Sequence, residues 1–447
     1  MNIRRILIAN RGEIAVRIIR TCKRLGIETV LAASDADLGS LAARMAGAVV
    51  RIGPARPAES YLSIDAIILA ALEGKADAIH PGYGFLSENA QLAIRCREAG
   101  LIFIGPTEAQ LDGIGDKLKA RGHAVEAGLP VVPGGSIEMG ADPAVLAETI
   151  GWPILVKAVG GGGGRGMKQV HDPSKLHETV ELAVAEAAAS FGDSRVYLER
   201  YVASGRHVEV QILGDGETVV HLGTRDCSVQ RRYQKLVEEA PAPGLSAELR
   251  SAMHAAAVNF GRHMRYRGLG TIEFLVDCRT DEFFFLEMNA RIQVEHPVTE
   301  AITGLDLVAE QIAVAEGRPL GLRQEDVTFT GHSIECRINA EDWDQDFRPS
   351  PGTAARVLFP AGDGIRVDSH MEAGASVPPF YDSMVAKLIV HAPDRTQAVE
   401  RMAQALDVCR IDGLTINTAM HKALMADVEF KAGGVDTAFF PRFMQQR

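Results

Sequence analysis

No stretch of this 447-residue chain approaches the ~18 consecutive apolar residues of a membrane span. The N-terminus offers no signal-peptide core either. Met1 to Ile19 is broken by Arg4, Arg5, Arg11 and Glu13, and reads as strand, loop and helix. Basic charge is not in excess. With 47 Lys and Arg against 58 Asp and Glu the net charge is −11, which argues against a general nucleic-acid surface but leaves room for a local basic site for phosphates. Cysteine is scarce. The six, at 22, 96, 227, 278, 336 and 409, form no CxxC pair and read as free thiols of a reducing compartment, by default the cytoplasm. Repeats, low-complexity tracts and long linkers are also lacking. The roughly three domains suggested by this length are therefore expected to pack as one body.

What is there begins with a rhythm. Ile6-Leu7-Ile8-Ala9 reads as a strand, Glu13 to Leu25 as a helix ended near Gly26, Thr29–Ala32 and Ala76–His80 as strands, and Ile102-Phe103-Ile104 as another. This βαβα alternation over the first ~115 residues predicts a doubly wound parallel sheet. A second region, roughly 130–204, holds a strand at Pro153–Val159, a glycine-rich loop, a strand at Met167–Val170, a helix at about 175–190 and a strand at Val196–Tyr201. From about 205 the pattern is mixed, with strands expected at 207–213, 218–223, 271–277, 283–295, 332–339 and 353–359.

The loop Gly160–Gly164, Arg165, Gly166 is the first chemical signal. Consecutive glycines let backbone N–H groups approach an anion closely. A dinucleotide fingerprint needs a helix next, but Met167–Val170 reads as a strand; a Walker A loop needs Gly-Lys-Ser/Thr, which is absent. The remaining reading is a β-hairpin flap over nucleotide phosphates. Lys157, at the end of the strand before the loop, points to the same phosphates, and Lys117 is a weaker second candidate.

Glu287 to Glu295 alternates strictly. Glu287, Asn289, Arg291, Gln293 and Glu295 are separated by Met288, Ala290, Ile292 and Val294, which predicts one strand with a reactive face. Centring a hairpin on Thr280 pairs 277 with 283, 275 with 285, and Glu273 with Glu287. Two unpaired carboxylates about 5 Å apart would repel by roughly 3 kcal/mol at an effective dielectric near 20, so a cation is expected there. Oxygen donors favour Mg²⁺, with Asn289 adding another. His207, Glu209 and Gln211 share one face of a further alternating strand, and Glu335, Arg337 and Asn339 share another. Gln230 to Lys235 is a dense basic run that reads either as a solvated loop or as an anion site.

Together these runs resemble the biotin carboxylases, which are ATP-grasp enzymes. The resemblance covers essentially the whole chain, through Ile8–Ala15, His80–Asn89, Lys157–Met167, Arg225–Ser228, Glu238–Pro241 and Glu287–Pro297. It implies an α/β and α+β ATP-grasp fold: a Rossmann-like N-terminal domain over 1–115, a connecting helix over 116–129, and a mobile flap over 130–204. A catalytic domain over 205–330 and a C-terminal mixed domain over 331–447, packed on it, would follow.

The resemblance implies ATP contacts from Lys117, Lys157 and His207 to the phosphates, and further ATP contacts from Gly162, Gly163, Gly164, Met167, Glu199, Gln230, Tyr233 and Leu275. It implies two Mg²⁺ or Mn²⁺ ions on Glu273, Glu287 and Asn289. Bicarbonate would be held by Arg291, Gln293, Val294 and Lys235, with Glu295 as general base. Carrier-bound biotin would meet Arg337 and Tyr83, Arg337 stabilising its enolate.

The implied activity is carboxylation of biotin N1′ through carboxyphosphate, releasing ADP and phosphate, as the first half-reaction of a biotin-dependent carboxylase such as acetyl-CoA carboxylase. Another ATP-grasp carboxylate–amine ligase is the alternative. The implied partners are a biotin carboxyl carrier protein, a separate carboxyltransferase and a second copy of the chain, with no nucleic acid and no membrane. Tyr233 stands where many family members carry His, Ala290 replaces a common Thr, and Arg24 and Asp363 differ from residues that help form the dimer in a bacterial branch. The Ala-Met-Lys-Met biotin-attachment tetrapeptide is missing, so a stand-alone subunit is expected.

Overall fold

The structure, a computed structural model, describes residues 2–137, 141–160 and 166–446. Five strands open the chain: β1 (Arg5–Ile8), β2 (Glu28–Ser34), β3 (Ala48–Gly53), β4 (Ala78–His80) and β5 (Ile102–Phe103). They form a parallel sheet in the order β3-β2-β1-β4-β5. Ile6 and Ile8 pack into one core and Leu7 into another, which is why this strand is apolar throughout rather than alternating. β3, with Arg51 exposed among its apolar residues, was not legible as a strand. The strand order reverses between β1 and β4, leaving a crevice between the loops that follow them. Asn10 ties those loops, its Nδ2 donating to the Pro81 and Tyr83 carbonyls at 2.7 Å each.

After helix Glu108–Gly115 comes helix Lys117–Glu126, capped by Asp116, whose carboxylate accepts from the Leu118 and Lys119 amides. A small antiparallel sheet then forms from β6 (Gly134–Ser136), β7 (Ile154–Ala158), β8 (Met167–Val170) and β9 (Val196–Arg200), in the order β6-β9-β7-β8. Helix Leu176–Phe191 buries Ala183 and Ala187 against Val156 and Val170 of this sheet. Gly162, Gly163 and Gly164 lie outside the described residues. The strands flanking them are paired, the Ala158 amide donating to the Gly166 carbonyl at 2.8 Å.

The largest sheet is eight-stranded and antiparallel. It contains β10 (Gly205–Asp215), β11 (Val219–Arg231), β12 (Gln234–Ala240), β13 (Arg267–Asp277), β14 (Phe283–Asn289) and β15 (His332–Asn339), followed by Ile365–Ser369 and Met384–Ala392. The order is β14-β13-β10-β11-β12-β15, then Met384–Ala392, then Ile365–Ser369. Pairing of β12 with β15 therefore joins the C-terminal strands to the preceding ones through backbone hydrogen bonds. Helix Ala247–His263 covers one face, with Phe260 stacked on Phe285 at 5.2 Å. Among the described residues no helix is long and apolar enough to cross a membrane.

Four expectations are corrected. The predicted strand 283–295 stops at Asn289. Arg291 donates to the Asn289 and Gln293 side chains at 2.8 and 2.9 Å, which locks a turn, and Pro297 sits in the first turn of helix His296–Thr303. The hairpin register holds at Glu273–Glu287, but the expected pairs 277–283 and 275–285 are replaced by Val276–Phe283 and Leu275–Phe284. Leu286 is the extra residue of a β-bulge that absorbs the difference. Residues 353–359 are split into Gly352–Thr353 and Arg356–Leu358, while the short strand expected at 218–223 is the long β11.

Candidate active site

A cavity of about 1360 Å³ lies between the small sheet, the crevice of the N-terminal sheet and the large sheet. Every described residue expected at the site lines it except Glu295, which is fully buried behind its wall at the start of helix His296–Thr303. Glu295 and Arg291 do not share a strand face, as the alternation predicted. The turn after β14 brings them to the same place instead.

At the end of the cavity nearer the small sheet, Lys157 on β7 pairs with Glu199 on the neighbouring β9 at 2.9 Å, and Arg121 reaches the same carboxylate at 3.2 Å. Burial would lower the Lys157 pKa, but Glu199 and Tyr197 raise it, so the ammonium is held charged. Met167, Leu275 and Tyr233 line this end. Tyr233 is 53% exposed and, with Arg232, has positive φ in the β11–β12 hairpin turn, a conformation that bulky residues rarely adopt. The basic run 230–235 is thus a hairpin rather than a solvated loop. Gln230 faces inward, its side chain bonded to His207 Nδ1 and the Cys227 carbonyl, both at 2.7 Å.

In the middle, Glu273 and Glu287 are direct cross-strand neighbours. They are not unpaired. Glu273 receives Lys235 Nζ at 3.0 Å and Asn289 Nδ2 at 2.9 Å, with His207 Nε2 lying 3.0 Å away as an ion-pair partner when protonated; Glu287 receives Lys117 Nζ at 2.8 Å. Burial would raise the Glu273 carboxyl, but Lys235 and His207 override it and hold it well below the usual range. Burial would lower His207, and Glu273 pulls it up instead.

Beyond them lies a lattice of charges. Lys235 Nζ touches three carboxylates: Glu209 at 2.7 Å, Glu273 at 3.0 Å and Glu295 at 2.6 Å. Arg337 Nη2 reaches the other oxygen of Glu295 at 2.9 Å. Burial favours a neutral Glu295, yet Lys235, Arg337 and Arg225 together hold its carboxyl well below the ordinary range. Arg225, fully buried, anchors this arrangement through Glu209, Gln211, Thr271 and Thr299. Arg291 Nε donates to Glu88 at 2.9 Å. Gln293 is buried, and its Nε2 has no protein acceptor among the described residues, a donor left for whatever enters the cavity. Tyr83 donates to Glu13, which also meets Lys387, and Lys387 donates to the Val294 carbonyl at 2.8 Å.

Sequence reasoning assigned no role to Glu88, Glu209, Glu238, Arg121 or Lys387. Glu209 was on a recognised alternating face, and Glu88 and Glu238 lay inside recognised motifs. Their partners are far away in sequence, so their roles were not readable locally.

Three family models match: biotin carboxylase N-terminal domain over residues 2–111, carbamoyl-phosphate synthase L chain ATP binding domain over 116–323, and biotin carboxylase C-terminal domain over 335–442. A biotin carboxylase of Nostoc sp. is 49% identical over 98% of this chain and 99% of its own length. Among solved structures, the biotin carboxylase domain dimer of Hydrogenobacter thermophilus 2-oxoglutarate carboxylase, in complex with MgADP, ADP and bicarbonate, superposes with a TM-score of 0.95 at 43% identity, covering 100% of this chain and 98% of that one. A Campylobacter jejuni biotin carboxylase–β,γ-ATP complex gives 0.95 at 45% identity, covering 99% of each. With these matches across its whole length, the chain belongs to the biotin carboxylase family.

Proposed function

We propose that this chain carboxylates N1′ of biotin on a carrier protein, using ATP and bicarbonate and releasing ADP and phosphate. The observation that carries this is the convergence of Lys235, Arg291 and Gln293 with the opposed carboxylates Glu273 and Glu287 in one cavity, and of Glu295 directly behind its wall, bonded to Lys235. An anion that must be oriented, deprotonated and set against a phosphoryl group needs this combination.

In this reading ATP lies between the flap, residues 130–204, and the large sheet. Lys117, Lys157 and His207 meet its phosphates; Glu199, Met167, Gln230, Tyr233 and Leu275 line its remaining surface. Glu273 and Glu287, with Asn289 beside them, would hold Mg²⁺ or Mn²⁺. The donor set fits: Glu273 and Glu287 offer hard carboxylate oxygens from directly opposed strand positions, oxygens that Lys235 and Lys117 hold until a metal takes their place. Bound metal supplies neutralisation of the charge on the phosphate oxygens.

Arg291, Gln293, the Val294 amide and Lys235 hold bicarbonate. Glu295 is ionised throughout the neutral range, as an acceptor must be, but its two cations depress its basicity. Entry of bicarbonate adds a second negative charge that shares those cations. Glu295 then binds a proton more strongly at the moment one is to be taken. The deprotonated anion attacks the γ-phosphoryl group, giving carboxyphosphate and ADP. Carboxyphosphate breaks into CO₂ and phosphate, the phosphate takes the N1′ proton of biotin, and the freed N1′ lone pair bonds the CO₂ carbon to give carboxybiotin. Arg337, reached past Tyr83, meets the negative charge that develops on the ureido oxygen. Closure of the flap excludes water that would otherwise hydrolyse the intermediate.

We place this reaction in the cytoplasm, in keeping with six unbridged cysteines, and assign the chain a carrier protein, a separate carboxyltransferase and a second copy of itself as partners. The deciding assay is ADP release by the purified chain. Release that requires bicarbonate and rises with added biotin is expected; release indifferent to biotin would overturn the reading.

A further inference from the structure

Glu238 and Glu335 stand directly opposite each other on β12 and β15, and both are 0% exposed. Opposed residues of an antiparallel pair share a face, with Cβ atoms about 4.5–5.5 Å apart. Glu238 uses a single oxygen: its Oε1 accepts from Arg337 Nε at 2.6 Å and Nη2 at 2.5 Å. Among the described residues its Oε2 has no protein donor, and neither oxygen of Glu335 has one. Two ionised carboxylates would not leave three buried oxygens without donors.

The cations that face the pair are already engaged. Lys387, on strand Met384–Ala392, donates to the Val294 carbonyl and meets Glu13 at 3.2 Å. Lys235 on β12 serves Glu209, Glu273 and Glu295. Arg337 on β15 is shared between Glu238 and Glu295. Glu295, from the start of helix His296–Thr303, adds a further negative charge, and the buried Cys227 and Cys336 thiols nearby are pushed up by burial and remain neutral. One hydrogen resolves the arrangement. A hydroxyl on Glu335 donating to Glu238 Oε2 satisfies two of the three orphan oxygens and leaves Glu238 Oε1 its charge for Arg337.

We propose that Glu238 and Glu335 share a single proton, and that this pair is the positioning element that holds Arg337 against Glu295. The proposal rests on the reading of Glu295 and Arg337 given above. Burial pushes both carboxyls up, Glu335 well above the ordinary range and Glu238 to about 7, against the pull of Lys387 on the first and Arg337 on the second. A single charge suits this role, because a second one would compete with Glu295 and substrate for the same guanidinium. Loss of the shared proton as pH rises supplies that second charge, draws Arg337 toward the pair and lowers turnover.

The test is an infrared difference spectrum of the whole protein across a pH titration, read beside the pH profile of kcat. The expected result is a protonated-carboxyl C=O band at neutral pH that is lost in Glu335→Gln and shifted in Glu238→Gln. The alkaline limb of kcat should move up by at least about one pH unit in Glu335→Gln, whose amide imitates the protonated acid and cannot ionise. A band that survives Glu335→Gln, or an unmoved alkaline limb, overturns the proposal. If Glu335→Gln does not fold, a band unshifted in Glu238→Gln, or no band in the unaltered protein, overturns it equally. The spectrum does not depend on turnover, so failure of the pair and failure of the biotin carboxylase reading are separate results.

Discussion

Replacing Glu295 with Gln isolates the proton acceptor from the lattice that surrounds it. The side chain is fully buried and accepts from Lys235 at 2.6 Å and Arg337 at 2.9 Å. Removing one partner of a buried pair ordinarily costs about 3–5 kcal/mol, because the other charge is left uncompensated. Here neither cation is abandoned. Lys235 keeps Glu209 and Glu273, and Arg337 keeps Glu238. The loss should therefore fall to about 1.5–3 kcal/mol, the range for a hydrogen bond involving charge, and the fold should survive. Turnover is a different matter. An amide cannot take the bicarbonate proton, and loss of a general base costs about 10²-fold or more, equivalent to roughly 2.7 kcal/mol of barrier. The assay is bicarbonate- and biotin-dependent ADP release, with ATP affinity measured separately by calorimetry. The expected outcome is a folded protein with ATP affinity near normal and turnover reduced at least a hundredfold. Turnover at the unaltered rate would remove Glu295 from the mechanism. Loss of ATP binding in parallel with turnover would show that its role is to hold the cavity together.

Three further outcomes follow from the same geometry. Glu287→Gln removes one of the two opposed carboxylates and frees Lys117; it should raise the Mg²⁺ concentration needed for half-maximal turnover by about tenfold, and an unchanged metal titration would count against the shared-ligand arrangement. Glu88→Gln weakens the hold on Arg291 Nε and on the Ala290 amide; KM for bicarbonate should rise about tenfold while KM for ATP stays put, as befits loss of one charge-assisted hydrogen bond worth about 1.5 kcal/mol, and equal changes in both constants would refute this. Asp306 pairs with Arg17 and bonds Thr21 and the Ala309 amide. Burial would raise its carboxyl, but Arg17 and these donors depress it from the ordinary 3.8 to about 2. A depressed carboxyl gives stability that is present above its unfolded pKa and lost as pH falls through the folded one. Asp306→Asn should thus abolish about 1 kcal/mol of stability, after allowance for solvent screening, that the unaltered protein loses between about pH 4 and pH 2; an equal acid slope in denaturant unfolding for both proteins would contradict it.

The lattice around Lys235 explains how a cavity so rich in carboxylates folds before any substrate arrives. Glu209, Glu273 and Glu295 converge on one ammonium, and Arg225 and Arg337 close the arrangement from behind. Each cation offered here to a protein carboxylate is one that a substrate anion can use. Binding therefore exchanges partners within the site rather than creating charge contacts from bulk water, which keeps the desolvation cost of the anions low.

How much of this was legible turns on range along the chain. The parallel N-terminal sheet could be read because its strands are short apolar runs separated by helices, each signal contained within a few residues. The opposition of Glu273 and Glu287 could be counted because a hairpin is local, but the count was one residue off at the turn and came out right at that pair only because the Leu286 bulge made up the difference. The alternation from Glu287 to Glu295 misled for an instructive reason. Period two normally marks a strand, but after Asn289 the same polar residues bond one another: Arg291 holds Asn289 and Gln293 on either side of itself. Those bonds replace the ladder that a strand would have needed, and Pro297 was the available sign that a helix was about to begin. The partners of Arg291 and Arg337 were beyond any such sign. Glu88 is 203 residues from Arg291, and Glu238 is 99 from Arg337. Only the packing of the N-terminal crevice against the large sheet, and the pairing of β12 with β15, brings them within a hydrogen bond.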